Sequence, residues 1–189
     1  MRIKLLVLIL STAISSYAQD TIYFKDGSTQ TGKVIEMNKS VLKFTEEGTK
    51  KKKRYTNDDI TGATILSEGN MLKYFYDKVP TIGTVLLTTV SSGKANLHVT
   101  ESYMYGSYEK TVTADTYNSG GTIRLYYAKR DSEDSYFDLN YDGALVNKFK
   151  NRASKYLKDC PKLAKRIKNR EFGKLDVEEI FEIYNNDCN

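Results

Sequence analysis

Two cysteines, Cys160 and Cys188, are the residues whose chemistry the sequence defines best. They are the only cysteines in the chain, and their wide separation does not fit a CxxC redox motif. The leader described below directs the chain to an oxidising compartment, where two lone cysteines pair. We therefore predict a Cys160 to Cys188 disulfide, which would close a loop of about 29 residues and stabilise the fold by roughly 3.5 kcal/mol.

Five consecutive cations are the second group with binding chemistry: Lys50, Lys51, Lys52, Lys53 and Arg54. A strand points successive side chains to opposite faces, so neither face of this segment is expected to be deep core. One interpretation is an edge strand or hairpin tip whose lysines discourage pairing with other chains. The other is an anion patch for envelope phosphates or acidic polysaccharide, joined by the basic face of residues 148–170.

Tyrosines form a third group, because ten of the fifteen in the chain fall between Tyr74 and Tyr141. Tyr103, Tyr105 and Tyr108 lie on a polar stretch and are a candidate aromatic surface for a sugar ring or a peptide. The alternative is structural, since tyrosine fits a half-buried strand with its ring inside and its hydroxyl at the rim.

Carboxylates in or near predicted loops are the candidates for a two-carboxylate hydrolase, and the set consists of Asp115, Asp131, Glu133 and Asp134. The 131–134 stretch lacks the spacing and the glycine of an EF-hand calcium loop.

His98 has no Cys, Ser or carboxylate motif around it, so a structural role is expected. The sequence also lacks a P-loop, a GxSxG and an HExxH motif. We therefore predict a non-enzymatic protein without catalytic residues, cofactor or metal.

Residues 1–18 have the features of a secretory signal peptide. Arg2 and Lys4 precede an apolar run, and the small residues Ser16 and Ala18 predict cleavage after Ala18. The apolar run is too short to span a bilayer, so we expect no transmembrane segment in the mature form and export to the periplasm or the medium. The net charge of +5 is too modest to predict nucleic-acid binding.

Residues 19–67 are the first segment that must position these groups. They are predicted to form short strands in which apolar and polar residues alternate. Asp26-Gly27, Asn38-Lys39 and Glu47-Gly48 separate the strands as hairpin turns. One face of this meander is expected to be buried, and Gly32 would permit the sharp bend that a small barrel needs. The pattern resembles SH3-like and Sm-like barrels, which carry many functions on one fold.

Residues 68–145 continue the alternating pattern and are predicted to form an antiparallel β region. Residues 146–189 change to helical spacing, with apolar residues three and four positions apart: Phe149, Ala153, Tyr156, Cys160, Leu163 and Ile167. Pro161 predicts that a second helix begins there. The fold class is therefore α+β, with a barrel-like meander, an antiparallel middle region and a C-terminal helical hairpin.

A third helix is predicted to begin at Asp176, which would act as its N-cap. Glu179 would complete a capping box, and Leu175 would pack on Ile180 as a hydrophobic staple. Residues 147–170 hold ten Lys or Arg and one acid, whereas residues 171–189 hold six acids and one Lys. This opposite charge favours an antiparallel helical hairpin, although each exposed pair adds only about 0.2 to 1 kcal/mol.

Four segments carry a resemblance to a known group of proteins: DTIYFKDGSTQTGKVIE, YYAKR, DCPKLAKRIKNREF and IFEIYNNDC. With the leader, they resemble a family of uncharacterised secreted or periplasmic proteins of Bacteroidota. The resemblance implies export and a β-then-helix layout, and it supplies no catalytic residues. We therefore expect an exported binding or scaffolding protein whose partner is an envelope protein, a glycan or an anionic envelope component.

Overall fold

A computed structural model describes residues 19–80, 82–104, 107–110, 115–118, 121–140 and 147–188. Twelve strands and three α-helices follow one another along these residues, with one 3-10 turn at Lys174–Asp176 before the last helix. The elements are β1 (Asp20–Phe24), β2 (Thr29–Met37), β3 (Val41–Glu46), β4 (Lys52–Thr56), β5 (Ile60–Ser67), β6 (Asn70–Val79), β7 (Gly83–Ser91), β8 (Asn96–Met104), β9 (Ser107–Lys110), β10 (Asp115–Asn118), β11 (Gly121–Lys129), β12 (Phe137–Asp138), α1 (Asn147–Tyr156), α2 (Pro161–Lys168) and α3 (Val177–Asp187).

Ten of the strands form one antiparallel sheet in the order β12-β11-β8-β7-β6-β5-β1-β2-β3-β4. The first strand lies inside the sheet, between β5 and β2. The two remaining strands, β9 and β10, pair with each other in a separate two-stranded sheet. The described part of the chain is thus an α+β fold with a mainly antiparallel sheet, as the sequence predicts.

The small meander keeps the strand order of a small barrel, β5-β1-β2-β3-β4, but it does not close. The hairpin at Ser67–Asn70 pairs β5 with β6, so the outer edge of β5 is already occupied and cannot accept β4. The sheet is therefore open, which corrects the expected barrel closure. The meander still curls, because register shifts occur between Tyr23 and Phe24 and between Val34 and Glu36.

Gly32 permits this curl through close packing. A Cβ placed there would overlap the Thr45 carbonyl oxygen and lie 2.6 Å from a ring carbon of Phe44, so only glycine lets β2 approach β3 this closely. The meander core behind it consists of fully buried residues: Ile22, Leu42, Phe44, Ile60 and Ala63. Tyr55 of β4 packs edge-to-face on Phe24 of β1, with ring centroids 5.1 Å apart.

A second core joins the helices to the other end of the sheet. Leu97 of β8 and Ala128 of β11 are fully buried beneath the helices. All six apolar residues predicted for the first two helices are buried in this core, and the four predicted for the third are buried with them: Val177, Ile180, Phe181 and Tyr184. No helix among the described residues is long and apolar enough to cross a membrane.

The helix boundaries match the predictions better than the caps do. Pro161 lies in the first turn of α2, where its missing N–H costs nothing. Asp176 stands before α3 but makes no side-chain capping bond to it, and it accepts a hydrogen bond from Gly173 N (2.7 Å) instead. Leu175 is 96% exposed. The predicted capping box and hydrophobic staple are therefore wrong, because in the 3-10 turn at Lys174–Asp176 the Asp176 carboxylate binds Gly173 N and Leu175 is left in solvent.

Candidate anion-binding surfaces

The five-cation run lies on the last strand of the sheet and just before it. Lys52, Lys53 and Arg54 belong to β4, Lys50 and Lys51 precede it, and all five are exposed. β4 pairs with β3 on one side only, so it is an edge strand among the described residues. Among the described residues, one ion pair involves the run, between Lys53 Nζ and Glu46 Oε2 at 3.0 Å. Both the protected-edge and the anion-patch interpretations remain predictions.

A second cationic surface lies in the groove between α1 and α2. The groove encloses about 380 Å³ and is lined by three lysines, two polar residues and one small residue: Asn151, Ser154, Lys155, Ala164, Lys165 and Lys168. Residues four apart share a helix face, which places Asn151 beside Lys155 on α1 and Ala164 beside Lys168 on α2. The sequence identified the basic face of this segment but not the groove.

The groove lysines have no carboxylate within ion-pair distance in the described part of the chain. Arg166 is the α2 cation that does pair, with Glu171 at 2.9 Å. The acidic face of α3 does not neutralise the groove, because its Glu178 pairs with Arg124 of β11 instead. Among the described residues, Arg166–Glu171 is the one ion pair between the basic segment 147–170 and the acidic segment 171–188, and the three groove lysines take part in none.

Arg130, which follows β11, holds the helices in the arrangement that forms this groove. Its guanidinium donates to the Tyr156 carbonyl (2.8 Å), to Asp159 (3.1 Å) and to the Tyr184 hydroxyl (3.0 Å). It also pairs with Glu133 at 2.9 Å. One side chain thus joins the end of α1, the α1–α2 joint and α3. Sequence analysis missed this role because an isolated arginine after a strand carries no local signal.

The carboxylates around Arg130 are held ionised by their partners. Burial raises the pKa of Glu133, but hydrogen bonds from the Arg130 backbone, Tyr156 and the guanidinium outweigh it and lower that pKa. Asp159 follows the same pattern, because the Tyr184 hydroxyl and Arg130 lower its pKa against the effect of burial. Lys94 Nζ lies 3.7 Å from Asp159 Oδ2, so the cluster balances two cations against two carboxylates.

The disulfide closes the same end of the molecule. Cys160 and Cys188 are bonded, with 5.5 Å between their Cα atoms, which confirms the predicted pairing. Lys94 Nζ donates to the Cys188 carbonyl (2.9 Å). Asn185 donates to the Ala95 carbonyl and accepts from its N–H, both at 3.1 Å. These contacts fix the end of α3 against the sheet.

Two residues of the candidate aromatic surface fall on described strands. Tyr103 is in β8, with Thr122 opposite, and Tyr108 is in β9, with Tyr117 opposite. Tyr105 lies outside the described residues. The backbone therefore places two of the three tyrosines on strands that are consecutive in the chain but belong to different sheets.

The candidate hydrolytic carboxylates are not drawn into one described site. Asp131 accepts a hydrogen bond from Asn96 (3.2 Å), and Glu133 belongs to the Arg130 cluster. Asp134 is exposed beside them, and Asp115 begins β10. Among the residues with described placement, no group of three or more His, Cys, Asp or Glu could hold a metal ion.

His98 is buried on the sheet face opposite Leu97. It lies beside a third cluster of buried residues, which consists of Val79, Val85, Leu87, Tyr127 and Tyr136. Its Nδ1 lies 3.0 Å from Thr89 Oγ1, and its ring packs edge-to-face on Phe75 and Tyr136. Burial lowers the pKa of His98 to about 4, with Lys129 adding to the effect.

Compared with known proteins, the chain matches no family model, no curated protein and no solved structure.

Proposed function

We propose that this is an exported, non-enzymatic protein that binds an acidic polysaccharide of the cell envelope in the α1–α2 groove. The observation that carries the proposal is the set of three groove lysines without an acidic partner among the described residues. Unpaired ammonium groups that converge on one concave surface attract anions more strongly than scattered surface charges do. The disulfide and the resemblance to secreted Bacteroidota proteins support export.

The polar groups of the groove favour a saccharide over a simple anion. Asn151 and Ser154 lie beside the lysines, and amide and hydroxyl groups can donate to or accept from sugar hydroxyls. The lysines would meet carboxylate or phosphate groups of the polymer. The volume of about 380 Å³ is within the usual range for small-ligand pockets, so one charged sugar unit would occupy the groove while neighbouring units follow the outer helix surfaces.

The test compares two triple variants that carry the same change in net charge. The groove variant is Lys155→Glu with Lys165→Glu and Lys168→Glu. The control is Lys158→Glu with Lys162→Glu and Lys174→Glu, all exposed residues outside the groove lining. Binding of a carboxylated polysaccharide would be measured by calorimetry at low and at physiological salt. We expect the groove variant to lose at least tenfold more affinity than the control, and the remaining binding to weaken with salt.

Three results would contradict the proposal. Equal losses in both variants would mean that net charge alone attracts the polymer. Absence of polysaccharide binding by the unmodified protein would remove the proposed ligand. Binding to vesicles of anionic lipid, with no binding to the polysaccharide, would identify a lipid headgroup as the anion instead.

A further inference from the structure

The β4 edge offers backbone hydrogen-bonding groups as well as charge. In an antiparallel pair, alternate residues of each strand direct both N–H and C=O toward the partner, and the residues between them direct both groups away. Asn57 donates its N–H to the Ser40 carbonyl across the pair (3.3 Å). Thr56, by contrast, donates its N–H to Asp59 Oδ2 (2.8 Å) and not to β3.

This alternation continues along β4 because its register with β3 has no irregularity. Arg54 and Lys52 are two and four residues before Thr56, so they share its orientation. Their N–H and C=O groups therefore face away from β3, on a side where no described strand lies. At Thr56 the outward N–H is already bonded to Asp59. The outward backbone groups of Lys52 and Arg54 have no strand beside them in the described part of the chain.

The charges on this edge determine which strand could pair with it. A second copy of β4 would bring its own Lys52, Lys53 and Arg54 against the same residues, and opposed like charges destabilise strand pairing. A strand with acidic residues would gain ion pairs instead. Glu36 and Glu46 form ion pairs with Lys43 and Lys53. Among the described residues neither carboxylate forms an ion pair with Lys52 or Arg54, although the Arg54 charge helps to lower the pKa of Glu36.

We infer that the β4 edge is a docking site for an extended acidic segment of a protein partner, which adds a strand to the sheet. Backbone hydrogen bonds to Lys52 and Arg54 would give the register. Acidic side chains opposite these two residues would select the partner, because adjacent side chains of paired strands lie on the same face. This inference concerns a surface separate from the α1–α2 groove and goes beyond the proposed polysaccharide binding.

The experiment uses the mature protein and a fluorescent peptide of alternating threonine and glutamate. Binding would be followed by anisotropy, beside the same peptide with every backbone nitrogen methylated. Arg54→Pro and Arg54→Ala form a matched pair, since both remove the cation but only proline removes the outward N–H. Proline deletes no hydrogen bond to β3 at this position, and a thermal unfolding curve would verify that both variants fold.

We expect the unmodified peptide to bind, the methylated peptide to bind at least tenfold more weakly, and Arg54→Pro to bind more weakly than Arg54→Ala. The Lys155, Lys165 and Lys168 triple variant should bind the peptide normally. Equal binding of the two peptides, or equal affinities of the Pro and Ala variants, would show that charge alone acts and would overturn the inference. Absence of any peptide binding would also overturn it, whereas polysaccharide binding in the groove would be unaffected.

Discussion

Arg130 shows how one side chain can stabilise several elements at once. Arg130→Met would leave Glu133 and Asp159 without their guanidinium and the Tyr156 carbonyl without a donor. Removing a partner from a partly buried charged network costs roughly 2 to 3 kcal/mol. Arg130→Lys should recover part of this loss, because an ammonium keeps the charge but lacks the planar fork.

Urea unfolding monitored by circular dichroism would measure these changes. Lys43→Met is the control, because the Lys43–Glu36 pair is nearly half exposed, and such pairs contribute less than about 1 kcal/mol. If Arg130→Met and Lys43→Met cost the same, the Arg130 cluster does not anchor the helices.

His98 gives the molecule a defined response to acid. Its pKa of about 4 in the folded state lies below the ordinary value of 6.5, so the unfolded chain binds the proton more readily. Stability contributed by neutral His98 is complete above pH 6.5 and is lost as the pH falls toward 4, by at most about 3 kcal/mol. Asp77 and Tyr136 face the ring with Lys129, and the Asp77 charge opposes the shift.

A variant comparison separates His98 from the carboxylates that also titrate in this range. The free energy of unfolding would be measured at pH 7.5 and at pH 4.5 for the natural protein and for His98→Phe. The pH-dependent loss should be smaller in the variant. An identical loss in both proteins would show that His98 does not respond to acid in this way.

At the level of elements, the disulfide ties the α1–α2 joint to the end of α3. Cys160→Ser with Cys188→Ser should lower the free energy of unfolding by about 3.5 kcal/mol, since the loop no longer restricts the unfolded chain. Guanidine unfolding would measure the difference, and thiol titration of the denatured exported protein should find no free thiol. Two titratable thiols would mean that the bond does not form in the cell.

The lysines on β4 and just before it are predicted to protect this edge from pairing with other copies of the chain. Replacing Lys51 and Lys53 by threonine removes charge and raises strand propensity. Light scattering of concentrated samples should show faster aggregation of this variant than of Lys158→Thr with Lys162→Thr on the helices. Equal scattering would indicate that the β4 lysines do not guard the edge.

Local patterns predicted most of the elements, and contacts between distant residues explain where they failed. The spacing of Phe149, Ala153 and Tyr156 indicated a helix because helix faces are set by nearby residues. Barrel closure depends on whether β5 pairs with β4 or with β6, a choice that the meander sequence does not contain. Likewise, no local pattern places Lys155 and Lys168 across a groove, since this depends on how α1 and α2 pack.

For the whole molecule, export and maturation are the first properties to test. The small residues Ser16 and Ala18 predict that the exported protein begins at Gln19. In the structure, β1 begins at the next residue, and Asp20 accepts hydrogen bonds from Val34 N and Leu66 N. Intact mass spectrometry of the exported protein should give the mass that starts at Gln19, and a mass retaining residues 1–18 would identify the leader as an anchor.

The separation of the cores has a consequence for how cooperatively the molecule unfolds. The meander core draws its residues from positions 22–76, whereas the helical core draws them from positions 95–188, and no buried residue belongs to both. The sheet connects them through the backbone ladders of β6 and β7 and through the third cluster, in which Val79, Val85 and Leu87 pack with Tyr127 and Tyr136. Amide hydrogen exchange should therefore resolve two units with different opening free energies. Reducing the disulfide should speed up amide exchange in α1, α2 and α3. The amides of β1, β2 and β5 should keep their protection against exchange.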